Sequence, residues 1–218
     1  MKLLSNILFQ HKFQAILIVI IFYVVGVLGI GIRFTHLFFI ALIPYVLLLS
    51  FAIILYSHKT IEFKKDFFVF SLIYLVSYLV EVVGVNSHLL FGNYTYGDGL
   101  GFKVFETPLL IGINWVMLVF CSASILEWTR WPSIVQAALA PLLMVVYDLV
   151  LEQVAPLLNM WSWHENSIPV QNFVTWFIMA ASFHVLLKVM KVKTINPFAS
   201  VIFICQFLFF LVIRLFFK

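Results

Sequence analysis

Three carboxylates stand in apolar surroundings in this chain: Glu81, Asp148 and Glu152. Glu81 opens the stretch EVVGVNSHLLFGNYTYGDGLG, which gathers two asparagines, a histidine, two tyrosines, an aspartate and five glycines, the last of them Gly101. Tyr74, Ser77, Tyr78 and Glu81 recur at offsets of three and four, the spacing of one helix face. Asp148 and Glu152 are four apart and share a face in the same way. A carboxyl group in a medium of low dielectric resists ionisation, and two of them one turn apart oppose ionising together. Such a pair is expected to hold one proton and to serve as a general acid near neutral pH.

The neighbours of these carboxylates extend the chemistry. The rings of Tyr94, Tyr96, Trp115, Trp161, Trp163 and Trp176 could stabilise a developing carbocation through their quadrupoles. They would equally suit an aromatic belt at a membrane boundary. Asn86, Asn114 and Asn172 could hold a water, and Asp98, in GDGLG, could face a ligand or only form a turn. His88 and His164 read as loop residues and His184 as structural.

Other chemistries fit poorly. Prenyl transfer needs magnesium held through two Asp-rich motifs with basic partners. Here there is one acidic pair, and Lys and Arg are nearly absent around it. Zinc or di-iron sites call for several histidines at helical spacing, which the chain lacks. There is no dinucleotide fingerprint, P-loop or nucleophile elbow. Cys121 and Cys205 sit in apolar runs and read as small buried hydrophobes. No cofactor and no metal are expected. Acid–base chemistry on a lipid-soluble molecule remains, beside proton-coupled transport.

The elements that must position these groups are membrane helices. The 218 residues are 64% hydrophobic and 10% charged, with 25 Phe, and the mean hydropathy is +1.13. No soluble domain of this size could hide so much apolar surface, and a nucleic-acid partner is excluded on the same ground. Windows of about 20 apolar residues predict an all-α bundle of about seven transmembrane helices over 13–31, 36–56, 67–85, 108–127, 133–155, 172–190 and 197–217. These form a single integral membrane domain over 1–218. The first run is too long for a signal-peptide core and lacks a small-x-small cleavage pattern, so it reads as a retained helix. With the N-terminus cytoplasmic, nine Lys and Arg fall inside and four outside, which favours the C-terminus outside. That topology sends Glu81, Asp148, Glu152 and the polar loops 86–107 and 156–171 to one end of the bundle. Two hairpins also look loosely alike. Glu81, an aromatic loop, Pro108 and Asn114-Trp115 parallel Glu152, an aromatic loop, Pro169, Asn172 and Trp176. A parallel repeat of this kind would place a site between its halves.

The run EVVGVNSHLLFGNYTYGDGLG with PLLIGINW from Pro108, and DLVLEQVAPLLNMWSW from Asp148 with PVQNFVTW from Pro169, resembles the membrane-bound carotenoid biosynthesis family over about residues 67–180. That family includes carotenoid 1,2-hydratases and bisanhydrobacterioruberin hydratase. The chain departs from the pattern at His164-Glu165-Asn166, where a glycine-rich continuation is expected. The resemblance implies a hydro-lyase that adds water across the terminal isopropylidene double bond of an acyclic carotenoid end. Asp148 or Glu152 would then be proton donor and Glu81 would handle water, or the reverse. The remaining polar and aromatic residues named above would line the substrate. Expected partners are a lipid-soluble carotenoid, membrane lipid, water and other membrane enzymes of the pathway, in a bacterial or archaeal plasma membrane. The alternatives are a proton-coupled transporter and a carotenoid-binding subunit without catalysis.

Overall fold

The computed structural model describes residues 2–60, 62–165 and 167–217, with the backbone alone for 2–12. The side chains of Lys2 and Lys12, and all of Asn166 and Lys218, lie outside the described residues. Among the described residues, eight helices follow the apolar runs: α1 (Lys2–Gly31), α2 (His36–Ala41), α3 (Ile43–Ser57), α4 (Phe63–Ser87), α5 (Leu110–Glu127), α6 (Ser133–Leu151), α7 (Val170–Val189) and α8 (Pro197–Phe216). Four short strands lie in the loops: β1 (Tyr94–Tyr96), β2 (Lys103–Val104), β3 (Thr107–Pro108) and β4 (Trp161–Trp163). An all-α polytopic bundle is the outcome. Six of its helices are long and apolar enough to cross a membrane, and the protein is an integral membrane protein.

The run over 36–56, expected as one crossing, is broken at Leu42 into α2 and α3. Pro44, in the first turn of α3, has no N–H to give the carbonyl four residues back, and its ring crowds that carbonyl. α3 alone, at 15 residues, is about 22 Å long, short of a hydrocarbon core of about 30 Å. The run expected over 133–155 also ends early. α6 stops at Leu151 and the chain continues in irregular turns toward Pro156.

α5 is the axis of the bundle. Of its residues 78% are buried, against 22–39% in the apolar segments of the other five long helices (Phe13–Gly31 in α1), which turn their Leu, Ile, Val and Phe outward to lipid. α3, α4, α6, α7 and α8 all touch it. Small residues let them close in. Gly112 receives the ring of Tyr74, which a Cβ would meet at 2.7 Å. At the end away from Glu81, Asn196 caps α8 by accepting from the N–H groups of Phe198 and Ala199. Its amide donates to the Ile54 carbonyl at 3.1 Å, and its own carbonyl accepts from the Ser124 hydroxyl at 2.8 Å, tying α3, α5 and α8 together.

Candidate active site

Glu81 lies near the C-terminal end of α4 and is 3% exposed. Its three ligating hydrogen bonds come from neutral groups. The phenols of Tyr94 and Tyr96 donate to Oε2 at 2.7 and 2.8 Å, and the indole N–H of Trp115, from α5, donates to Oε1 at 3.0 Å. Burial, reinforced by the adjacent carboxyl group, holds both loop phenols well above the usual tyrosine range. They therefore stay protonated and keep their capacity to donate.

Glu152, just past the end of α6 and also 3% exposed, sits in a matching cradle. The indoles of Trp161 and Trp163 donate to Oε2 at 2.8 and 2.7 Å. The amide nitrogen of Asn172, in the first turn of α7, donates to Oε1 at 3.1 Å and to Asp148 Oδ2 at 2.9 Å. One amide thus joins the two carboxyls of the predicted pair. Asp148 is fully buried, and its Oδ1 has no hydrogen-bond partner among the described residues.

The two cradles are joined by their strands. β1 and β4 run antiparallel with Tyr94 opposite Trp163 and Tyr96 opposite Trp161. Side chains alternate along a strand, so Thr95 and Ser162 face out while all four aromatic rings are buried on one face. Tyr94 and Trp163 lie 5.1 Å apart between centroids, and Tyr96 and Trp161 6.0 Å. The loops meet closely because glycine permits it. The Gly97 N–H donates to Met160 O at 2.8 Å and the Gly99 N–H to Asn159 O at 2.6 Å. A Cβ on Gly99 would overlap the carbonyl oxygen of Leu158. Non-helical backbone near membrane depth survives where protein covers it and its polar groups pair, and this small ladder meets both conditions.

Beneath the ladder is a small cavity lined by both glutamates, the four strand aromatics, Asn172, Trp176, Phe91 and Ile111. Its free volume is about 10 Å³, on the scale of a single water molecule. None of its lining residues carries a positive charge, which disfavours an anionic ligand such as a diphosphate. Trp176 stacks on Trp115 at 4.3 Å with ring planes 32° apart. The partners of Glu152 are indole and amide N–H groups, which only donate and so complement its ionised form. Around Glu81 the phenols both donate and accept, so that cradle accommodates the carboxyl with or without its proton.

The structure brings Glu81, Glu152, Tyr94, Tyr96, Trp161, Trp163, Asn172 and Trp176 to one cavity, with Asp148 and Trp115 directly behind it. Three other candidates stand elsewhere. Asn86 is exposed and donates to the carbonyls of Val82, at 2.8 Å, and Phe105, at 3.2 Å, fastening the loop to α4. Asp98 is exposed, turns the chain by accepting from Gly101 N–H, and pairs with Lys103 at 3.2 Å. Asn114 is buried on α5 but is not part of the cavity wall. Tyr74 and Tyr78 stack on each other and donate to the Leu109 and Val104 carbonyls rather than facing Glu81. His88 and His164 are exposed, and His184 is buried, 2.9 Å from the Ser122 hydroxyl.

Phe91 and Ile111 line the cavity without having been singled out from sequence. Ile111 carried a signal. Pro108, Ile111 and Trp115 have the spacing of Pro169, Asn172 and Trp176. In that register Ile111, not Asn114, is the counterpart of Asn172. Tyr-Thr-Tyr against Trp-Ser-Trp is the other legible trace of two similar halves.

A family model described as carotenoid biosynthesis protein matches residues 39–218. That is most of the chain, and it takes in α3 and α8, which carry none of the recognisable motifs. No curated protein and no solved structure matches the chain.

Proposed function

The chain belongs to the carotenoid biosynthesis protein family, and from that premise we propose that it is a carotenoid hydratase that adds water to the terminal isopropylidene double bond of an acyclic carotenoid. The observation that carries this reading is the pair of buried glutamates lining one aromatic-walled cavity that holds no cationic side chain. Glu81 gives its proton to the less substituted carbon of the double bond, and the π electrons form the new C–H bond. A tertiary cation is left at the dimethyl carbon, held against the faces of Trp163, Trp161 and Trp176. A water oxygen forms the C–O bond, and Glu152 takes the proton that water releases. That proton returns to Glu81 through the cavity both groups line, and the net change is addition of one water. Asp148 acts through Asn172, whose amide it holds toward Glu152.

The hydrogen-bond sets favour this division of roles over its reverse. A carboxyl that releases and regains a proton needs neighbours that tolerate both states, as the phenols do. A carboxylate that waits for a proton is served by donors alone. With the N-terminus in the cytoplasm, the cavity opens at the outer boundary of the membrane.

Expression in cells that accumulate lycopene or γ-carotene tests the proposal. A product heavier than its precursor by one water, bearing a tertiary hydroxyl, is expected. Unchanged carotenoids with both substrates would refute it. Pigment that stays bound and unchanged in both the native protein and its Glu81→Gln variant would mark a carotenoid-binding subunit instead.

A further inference from the structure

The carboxylate cavity, with its free volume of about 10 Å³, has room for about one water and for no chain end bearing two methyl groups. A wall must therefore give way before a long apolar molecule can reach Glu81 and Glu152. The walls differ in how firmly they are held. Glu81, Ile111, Asn172 and Trp176 stand on packed helices, the four strand aromatics stand on the β1–β4 ladder, and Glu152 is fixed by its hydrogen bonds. Phe91 alone lies in an irregular segment and has no polar group to anchor its side chain.

That segment covers the gap between two helices. α4 packs along α5, and α7 along α6, while α4 and α7 touch each other only briefly. The ring of Phe91 fills the space beside α4, where Gly84 leaves room for it and a Cβ would overlap it at 2.4 Å. On the other side two side chains of α7 hold the backbone. Thr175 Oγ1 donates to the Leu90 carbonyl at 2.6 Å, and the Gln171 amide donates to the Leu89 carbonyl. Leu89 itself is exposed. At either end of 89–91 the backbone turns through positive φ, 60° at His88 and 117° at Gly92, so both ends are loop positions of the kind that serve as hinges. Swinging Phe91 outward moves its ring from protein into lipid tails, which are equally apolar. The motion forfeits two side-chain hydrogen bonds and breaks no helix and no ladder.

We propose that 89–91 is a lateral entrance to the cavity between α4 and α7, with Phe91 as the side chain that must swing out to admit a chain end directly from the lipid. The inference rests on the reading of the cavity as the place where a carotenoid end reacts. It adds the route by which that end arrives and the residue that controls it.

A reversible tether tests it. Leu89→Cys and Gln171→Cys are introduced together in a Cys121→Ala, Cys205→Ala background, and the pair is joined with a short bis-methanethiosulfonate reagent that a reductant cleaves. The full chain in lipid nanodiscs is then mixed with vesicles carrying lycopene. Entry is read by the circular dichroism that a polyene acquires in a chiral protein site, which requires no reaction, and hydrated product is read by mass in the same sample. The tether should abolish the dichroic signal, and reductant should restore it. Each single cysteine variant treated with the reagent should take up lycopene as the native protein does. Phe91→Ala, a separate variant that needs no tether, should take it up faster. Uptake at the native rate with the tether in place would overturn the proposal, as would unchanged or slower uptake by Phe91→Ala, or no signal in the native protein. Uptake that the tether blocks, with no hydrated product in any sample, would leave the entrance standing and remove the hydratase. Product formed at the native rate in the tethered protein would do the reverse.

Discussion

Tyr94 and Trp163 face each other across the β1–β4 ladder, 5.1 Å apart, and each donates a 2.7 Å hydrogen bond to a different carboxylate, Glu81 and Glu152 respectively. The ladder is therefore the bridge that holds the two halves of the site in register. It is also where changes in sequence should be felt most directly.

Replacing either cavity-lining glutamate by its amide should stop the proposed hydration. Glu81→Gln and Glu152→Gln are each expected to lose at least about 10²-fold in turnover, the usual scale of general acid–base catalysis, with pigment still bound. Asp148→Asn should lose less, because Asp148 reaches the cavity only through Asn172. Product formed per unit of protein, read by mass, checks the order. Equal losses at all three positions would contradict the assigned roles.

Trp163→Phe removes one of the two indole donors on Glu152 Oε2 while keeping a ring against Tyr94. A hydrogen bond to a charged group contributes about 1.5–3 kcal/mol, so the variant should unfold at lower temperature in detergent and turn over more slowly. Thr95→Ala, on the outward face of the same ladder, should change neither.

Gly99→Ala forces a Cβ onto the Leu158 carbonyl at the loop crossing. Overpacking of this kind costs about 1–3 kcal/mol, and here it would push β1 away from β4. A lowered unfolding temperature together with reduced turnover is expected. Unchanged behaviour would mean that the loops do not meet as described.

Tyr94 and Tyr96 should resist alkali. Their phenols are held well above the ordinary value of 10.0 by burial first, so the folded state keeps protons that the unfolded chain gives up. More protons are bound in the folded state as pH rises past the unfolded value, and the linkage sign then makes stability fall. Ultraviolet titration should show a late-ionising tyrosine fraction that shrinks in the Tyr94→Phe, Tyr96→Phe double variant. Ionisation of these two with the exposed tyrosines would contradict their burial.

The membrane class, the helical runs and the convergence of Glu81, Asp148 and Glu152 were legible in the sequence, for a simple reason. Long apolar runs have one stable form in lipid, and carboxylates within them must turn inward. Helix parity then sends both polar loops to one end. Even the Pro44 break was visible in principle, since a proline's missing N–H is a local fact.

Pairing between the loops was not legible. Asn86 and Asp98 look as suited to a cavity as Tyr94 does, and only the register of β1 against β4 separates those that face in from those that fasten the rim. That register depends on glycines at 97 and 99 meeting carbonyls some 60 residues away in the chain. The sequence alone determined which residue types are gathered at one end of the bundle. The tertiary structure decided which carboxylate each aromatic serves, because a hydrogen bond is directional and short while a residue's place in the chain specifies neither distance nor angle.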